Sequence, residues 1–157
     1  TIVYGEFGGG PAADSPGPAK RGSKYFYASV TTANPRAIVE QKIDVSTATT
    51  LIDAAKVGYS LVGFFGGVNT SHSSARLNVV FLDKDGKPLG TDQTAEVKEQ
   101  DRADDLVLVE RKREGALPSG TRTIQIKLEF YLLPGHASEA IETLAYADNL
   151  ALVLTQK

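Results

Sequence analysis

Thr123-Ile-Gln-Ile-Lys-Leu-Glu-Phe-Tyr-Leu132 alternates apolar and polar side chains without a break. Side chains on a strand point to opposite faces in turn, so this period of two marks a strand with one dry face and one wet face. Ile124, Ile126, Leu128, Phe130 and Leu132 are expected inward, and Gln125, Lys127, Glu129 and Tyr131 outward.

The same rhythm recurs on both sides of this segment. Ala75, Leu77, Val79 and Phe81 form an inner face, with Arg76 and Asn78 beginning the outer one. In Val57–Phe65, the residues Val57, Tyr59, Leu61, Gly63 and Phe65 oppose Ser60, Val62 and Phe64. Tyr25–Ala28 and Ile38–Val45 read as strands, as do Ile2, Val3 and Tyr4. Leu106–Val109 reads as a buried strand. Tyr146-Ala-Asp-Asn-Leu-Ala-Leu-Val-Leu154 places an acidic-amide turn before Leu150, Leu152 and Leu154, which alternate as a half-buried strand does.

Asp83-Lys-Asp-Gly-Lys-Pro88 has the composition of a hairpin turn, with Gly86 supplying positive φ, and Pro118-Ser-Gly120 marks another. Residues 8–23 are rich in Gly and Pro. Because only seven residues precede them, they are expected to form a long loop crossing between sheets rather than an interdomain linker. Ala137–Leu144 is the one helical competitor and is expected to be a short turn within a loop. Eight or nine strands with no helices alternating between them predict an all-β, antiparallel two-sheet sandwich over residues 1–157.

A chain of 157 residues suits one domain with a two-layer core, and 41% hydrophobic and 23% charged residues are ordinary for a globular protein. The net charge of −2 gives no electrostatic footprint for nucleic acid. No apolar run approaches the roughly 20 residues of a membrane helix. The absence of Cys removes disulfides, thiolate nucleophiles and Cys zinc sites. Met is absent even at position 1, so Thr1 is read as a processed terminus or a trimmed boundary, with no signal peptide in view.

Three segments in order, Ser15-Pro-Gly-Pro-Ala-Lys-Arg-Gly22, Val57-Gly-Tyr-Ser-Leu-Val-Gly-Phe-Phe-Gly-Gly67 and Tyr146-Ala-Asp-Asn-Leu150, resemble extracellular bacterial jelly-roll modules of the galactose-binding-like, carbohydrate-binding type. Gln41-Lys-Ile-Asp-Val-Ser46 and Leu117-Pro-Ser-Gly-Thr-Arg122 are similar in kind. The chain departs from that family at Phe64, where Trp is common, and it begins downstream of the family's first strand. The resemblance implies a jelly-roll fold, a secreted or cell-surface setting and a structural Ca²⁺ helped by Asp148. Glu6 is expected to converge on Asp148, because first and last strands often neighbour each other in such folds. Read from the residues alone, Asp148 is equally a polar turn capping a strand.

Other candidates read as ordinary surface. Asp83-x-Asp85-Gly86 lacks the later ligands of an EF-hand, since Lys87 and Thr94 occupy those positions. Glu99, Asp101, Arg102, Asp104 and Asp105 form a solvated acidic loop. His72 and His136 have no zinc-binding spacing and no Gly-x-Ser-x-Gly partner; His72, in a loop at a strand end where ligand contacts tend to occur, reads as an exposed loop histidine rather than a catalytic one. Asn69-Thr-Ser71 is a glycosylation sequon in a host that uses it. Arg111-Lys-Arg113, flanked by Glu110 and Glu114, is a mixed-charge surface.

The outward residues Ser60, Phe64, Arg76, Asn78, Gln125, Lys127, Glu129 and Tyr131 are expected to line one sheet surface. Amides, carboxylates, guanidinium groups and an aromatic ring are what a sugar needs. The expected function is therefore a non-catalytic carbohydrate-recognition module with a structural Ca²⁺, its partner a glycan or cell-surface polysaccharide. No nucleophile–base pair or metal triad can be assembled for an enzyme. The alternative is a self-assembling structural subunit joined by strand augmentation at an open sheet edge. Molecular size in solution separates the two.

Overall fold

A computed structural model describes residues 1–6, 10–67, 72–102, 106–133 and 142–157. Its strands are β1 (Ile2–Val3), β2 (Lys24–Thr31), β3 (Arg36–Asp44), β4 (Val57–Gly67), β5 (Ser73–Leu82), β6 (Pro88–Gln93), β7 (Val109–Ala116), β8 (Thr123–Leu132) and β9 (Glu142–Gln156). They form a five-stranded sheet, β1-β2-β9-β4-β7, and a four-stranded sheet, β3-β8-β5-β6. All their pairings are antiparallel. The sandwich expected from the alternating segments is the fold observed.

The inner faces follow the sequence rhythm. Ala75, Leu77, Val79 and Phe81 of β5 are buried against Val57, Tyr59, Leu61 and Phe65 of β4 in one core cluster, to which β8 adds Ile124, Leu128 and Phe130. The hairpin turn is as read. Gly86 has φ 78°, and the Asp83 carboxylate accepts the backbone N–H groups of Asp85 at 2.9 Å and Lys87 at 2.8 Å.

β9 departs from simple alternation. Val62 of β4 faces Ala151, whereas Phe64 faces Asp148, so Asn149 and Leu150 together oppose Gly63. This is a β-bulge, and Asn149 occupies it with φ 47°. An extra residue reverses the facing of everything beyond it. Leu150, Leu152 and Leu154 pack on the main core, as do Ala145 and Ala147, while Tyr146 lies in a separate cluster.

That second cluster holds Tyr25, Leu108 and Tyr146, with Ile2, Tyr4, Phe64, Leu106 and Leu144 packed around it. It sits on the outer face of the five-stranded sheet. The Gly/Pro-rich stretch that precedes β2 helps to cover it, because Leu108 donates its backbone N–H to the Pro16 carbonyl at 3.0 Å. β1 and β2 are neighbours in one sheet, so this loop joins adjacent strands and does not cross between sheets as expected. Leu106–Val109 also differs from expectation. Strand β7 begins only at Val109, and the preceding residues lie over the sheet as its cover.

One short helix, α1 (Thr49–Asp53), was not legible in the sequence. It has a single buried residue, Ile52, too few for a helical periodicity to be seen. The Ala137–Leu144 competitor lies outside the described residues through 141, and its last residues open β9.

Gly66 lets the Val107 segment approach the five-stranded sheet. A Cβ at position 66 would overlap the Val107 carbonyl oxygen, which is backbone and cannot turn aside. Gly66→Ala is therefore expected to destabilise the fold by about 1–3 kcal/mol, measured as a lower denaturant midpoint with an unchanged slope.

Candidate functional site

The outer face of the four-stranded sheet carries the most concentrated polar arrangement. Pairing of β5 with β8 sets Arg76 opposite Glu129 and Asn78 opposite Lys127. Pairing of β3 with β8 sets Arg36 opposite Tyr131, Ile38 opposite Glu129 and Glu40 opposite Lys127. Residues directly opposite share a face, so these side chains form a lattice across three strands.

Glu129 is its centre and is only 5% exposed. A buried carboxylate must be matched by donors, because desolvating it uncompensated is costly. Here one oxygen accepts Arg76 Nε at 2.8 Å, Arg76 Nη2 at 2.8 Å and Asn78 Nδ2 at 3.1 Å. The other faces Arg36 Nη1 at 3.1 Å. The Arg76 guanidinium in turn lies 4.6 Å from the Tyr131 ring centroid, a stacked cation–π contact. Tyr131 is 6% exposed and donates its hydroxyl to Glu96 Oε1 at 2.9 Å. Burial, assisted by the Glu96 carboxylate, raises the Tyr131 phenol well above its ordinary range, so the ring keeps its proton.

Beside this centre runs an open groove of about 470 Å³, lined by Arg36, Ile38, Asn78, Gln93, Lys127 and Glu129 among others. Lys127 Nζ, which lines it, lies 3.7 Å from Glu40 Oε2 of the neighbouring strand. Ile38 is 54% exposed and gives the surface an apolar step. The groove can therefore offer amide, ammonium and guanidinium donors, carboxylate acceptors and an aliphatic contact within one concavity.

Of the residues expected on this surface, Arg76, Asn78, Gln125, Lys127, Glu129 and Tyr131 do share the outer face of the four-stranded sheet. Ser60 and Phe64 do not. They belong to β4 in the other sheet, where Phe64 packs in the Tyr25–Leu108–Tyr146 cluster. Tyr131 is present but covered by Arg76, so it offers no open ring for stacking. Arg36, Glu96 and Gln93 were missed. Nothing in their own segments marks them: strand pairing brings Arg36 and Gln93 to this face, and the loop after β6 brings Glu96 to the Tyr131 hydroxyl.

Asp148 lies on the outer face of the five-stranded sheet. It is buried, and its Oδ2 accepts the Tyr4 hydroxyl at 2.5 Å. Burial first, then this bond, raises the Tyr4 phenol above its ordinary range. β2 stands between β1 and β9 in the sheet, and Tyr4, just past β1, reaches Asp148 of β9 with its side chain. Glu6 is exposed. Among the described residues there is no group of three or more His, Asp or Glu that could hold a metal ion. Of the two expected ligands, Asp148 is buried with one oxygen engaged by Tyr4 and Glu6 is exposed, whereas Ca²⁺ takes six to eight oxygens.

The remaining candidates are structural. His72 Nδ1 lies 2.5 Å from Glu99 Oε1, and Asp101 accepts Arg111 Nη2 at 2.7 Å. Arg102 is not a solvated loop residue. It is buried and donates to the Ser73 carbonyl at 3.1 Å. Arg113 pairs with Asp92 at 2.7 Å and Lys112 with Glu114 at 2.6 Å, the mixed-charge surface expected. Asn69-Thr-Ser71, Asp104, Asp105 and His136 lie outside the described residues.

No protein-family model and no curated protein sequence matches this chain. Among solved structures it is similar to the enzymatically active domain of tailspike protein 4 of bacteriophage CBA120. That match has a TM-score of 0.54 and 19% identity, over 85% of this chain and 16% of that one. An infectious bursal disease virus structure matches with a TM-score of 0.49 and 10% identity, over 85% of this chain and 32% of that one. A structure described as "CBM4 structure and function" matches with a TM-score of 0.45 and 14% identity, over 85% and 76%. The chain spans a minor part of the tailspike and viral chains. At these identities the shared property is the jelly-roll fold. No helix among the described residues is long and apolar enough to cross a membrane.

Glu129 should matter for stability as well as for the surface. Glu129→Ala is expected to cost about 2 kcal/mol, toward the low end for a charge-assisted network because Arg36 and Arg76 keep access to water. Urea titration of both proteins measures it, and Glu129→Gln should lose less.

Proposed function

We propose that this chain is a carbohydrate-recognition module, without catalysis of its own, that binds its glycan along the outer face of the four-stranded sheet. The observation that carries the reading is the Glu129 centre. A buried carboxylate is held by two arginines and an amide at the margin of an open polar groove. Sugar hydroxyls both donate and accept, so they are discriminated by a mixed set of donors and acceptors already fixed in place. Arg76 and Asn78 are fixed by Glu129, and Ile38 offers an aliphatic surface to the C–H face of a sugar in place of an aromatic ring. A secreted or cell-surface setting, with a surface polysaccharide as partner, belongs to the same proposal.

A glycan array tests it. Gln125→Ala and Lys127→Ala are each expected to weaken binding about tenfold, the equivalent of one well-made polar contact. Ser60→Ala, on the other sheet, should leave binding unchanged. Loss of signal in Ser60→Ala with retention in the other two would place the ligand on the wrong face for this reading.

A structural Ca²⁺ helped by Asp148 and Glu6 is a separate proposal and rests on the resemblance alone. Binding only to the folded state at 100 times Kd stabilises by about 2.7 kcal/mol, a rise in melting temperature on the order of 5–10 °C. EDTA should lower the melting temperature of the native protein by that amount and leave Asp148→Ala unaffected. A melting curve of the native protein unmoved by EDTA or added Ca²⁺ assigns Asp148 to Tyr4 alone.

A further inference from the structure

We propose that this chain forms a two-fold dimer by antiparallel pairing of β3 with β3 of a second copy, centred on Gln41. The sheets end at β1, β7, β3 and β6, and an exposed strand edge is a template for further pairing unless something blocks it. β1 is two residues long. β6 begins at Pro88 and meets β5 through an irregular register. β7 turns Arg111 and Arg113 to the interior side, where they pair with Asp101 and Asp92. Inward charges of this kind are a known means of closing an edge.

β3 is neither short, nor irregular in register, nor closed by inward charges, and its outer charges are of both signs. It runs nine residues, pairs with β8 in unbroken register, and contains no Pro. Ile38 and Val39 are 54% and 52% exposed on it. Of its outer side chains, Glu40 and Lys42 complement each other when the strand is reversed about Gln41, while Ile38 then meets Asp44. With the axis at Gln41, Glu40 meets Lys42 of the second copy and Lys42 meets its Glu40. On the interior side Val39 meets Ile43, again twice. A register centred on Glu40 gains Arg36–Asp44 twice but sets Glu40 against itself at the axis; one on Lys42 sets Lys42 against itself and Glu40 against Asp44, and one on Val39 sets Arg36 against Lys42. One on Ile43 leaves only Lys42–Asp44 within the paired strands.

The same flank has a second unsatisfied feature. From Leu150 onward β9 pairs only with β4, because its pairing with β2 ends at Ala147. An apolar cleft of about 380 Å³ lies between the two sheets, lined by Val39, Ile43, Ile126, Leu150 and Leu152 among others. A second copy paired along β3 stands across this flank. The dimer is independent of the glycan reading, and its test uses no ligand.

Sedimentation equilibrium of the full chain tests the register. The wild type should dimerise, whereas Glu40→Lys and Lys42→Glu alone should each weaken the dimer at least tenfold, because two favourable cross-strand pairs become two repulsive ones. An equimolar mixture of the two variants should recover wild-type affinity as a heterodimer. In it the lysine introduced at position 40 of one copy meets the glutamate introduced at position 42 of the other, and the unchanged Lys42 and Glu40 still meet. Circular dichroism confirms that each variant is folded. A wild type that stays monomeric to about 1 mM, single variants that dimerise like the wild type, or a mixture that stays monomeric would each overturn the proposal.

Discussion

The bulge in β9 is the constraint on which the rest of the structure depends. Among the described residues β9 is the longest strand and the only one bonded to both β2 and β4. Without the extra residue at Asn149, a single period of two would commit the whole strand to one facing. Leu150, Leu152 and Leu154 would then share a side with Tyr146 and Asp148. With it, the leucines enter the main core while Tyr146 and Asp148 turn to the opposite side. Asn149 suits the position because a short polar side chain tolerates positive φ. Its Nδ2 also donates to the Lys20 carbonyl at 2.9 Å, which fastens the loop before β2.

Which outer face stays open follows from this arrangement. The turned-out Tyr146 joins Tyr25 and Leu108, and the segments around Pro16 and Val107 cover them, so part of the outer five-stranded face is occupied by the chain itself. Among the described residues, the part of the outer four-stranded face around Asn78 and Lys127 lies open as a groove. It satisfies its one buried carboxylate laterally, through Arg36, Arg76 and Asn78, and leaves a groove beside them. Packing on one sheet and charge pairing on the other thus divide the two outer surfaces into a dry one and an open one.

What was legible in the sequence was local. The alternation in Thr123–Leu132 and Ala75–Leu82 predicted their inner and outer faces residue by residue, and the Asp83–Pro88 turn followed from composition. Most of the candidate surface was visible for the same reason, since Arg76, Asn78, Gln125, Lys127, Glu129 and Tyr131 lie on two regular strands that pair with each other. What was not legible depended on which strand lies beside which. Phe64 alternates correctly on β4 but faces out of the other sheet. Arg36 follows Pro35 and becomes part of the site only through its place opposite Tyr131. The loop before β2 and the burial of Arg102 likewise rest on long-range contacts that leave no periodic trace.

The central claim is that the open four-stranded face is where a glycan binds. The most direct measurement is an NMR titration of the ¹⁵N-labelled protein with the glycan that an array ranks strongest. The account predicts that the shifted amides cluster on the parts of β3, β5 and β8 around Ile38, Asn78 and Lys127. Shifts confined to the β4–β7 face, or to the cleft between the sheets, would contradict it.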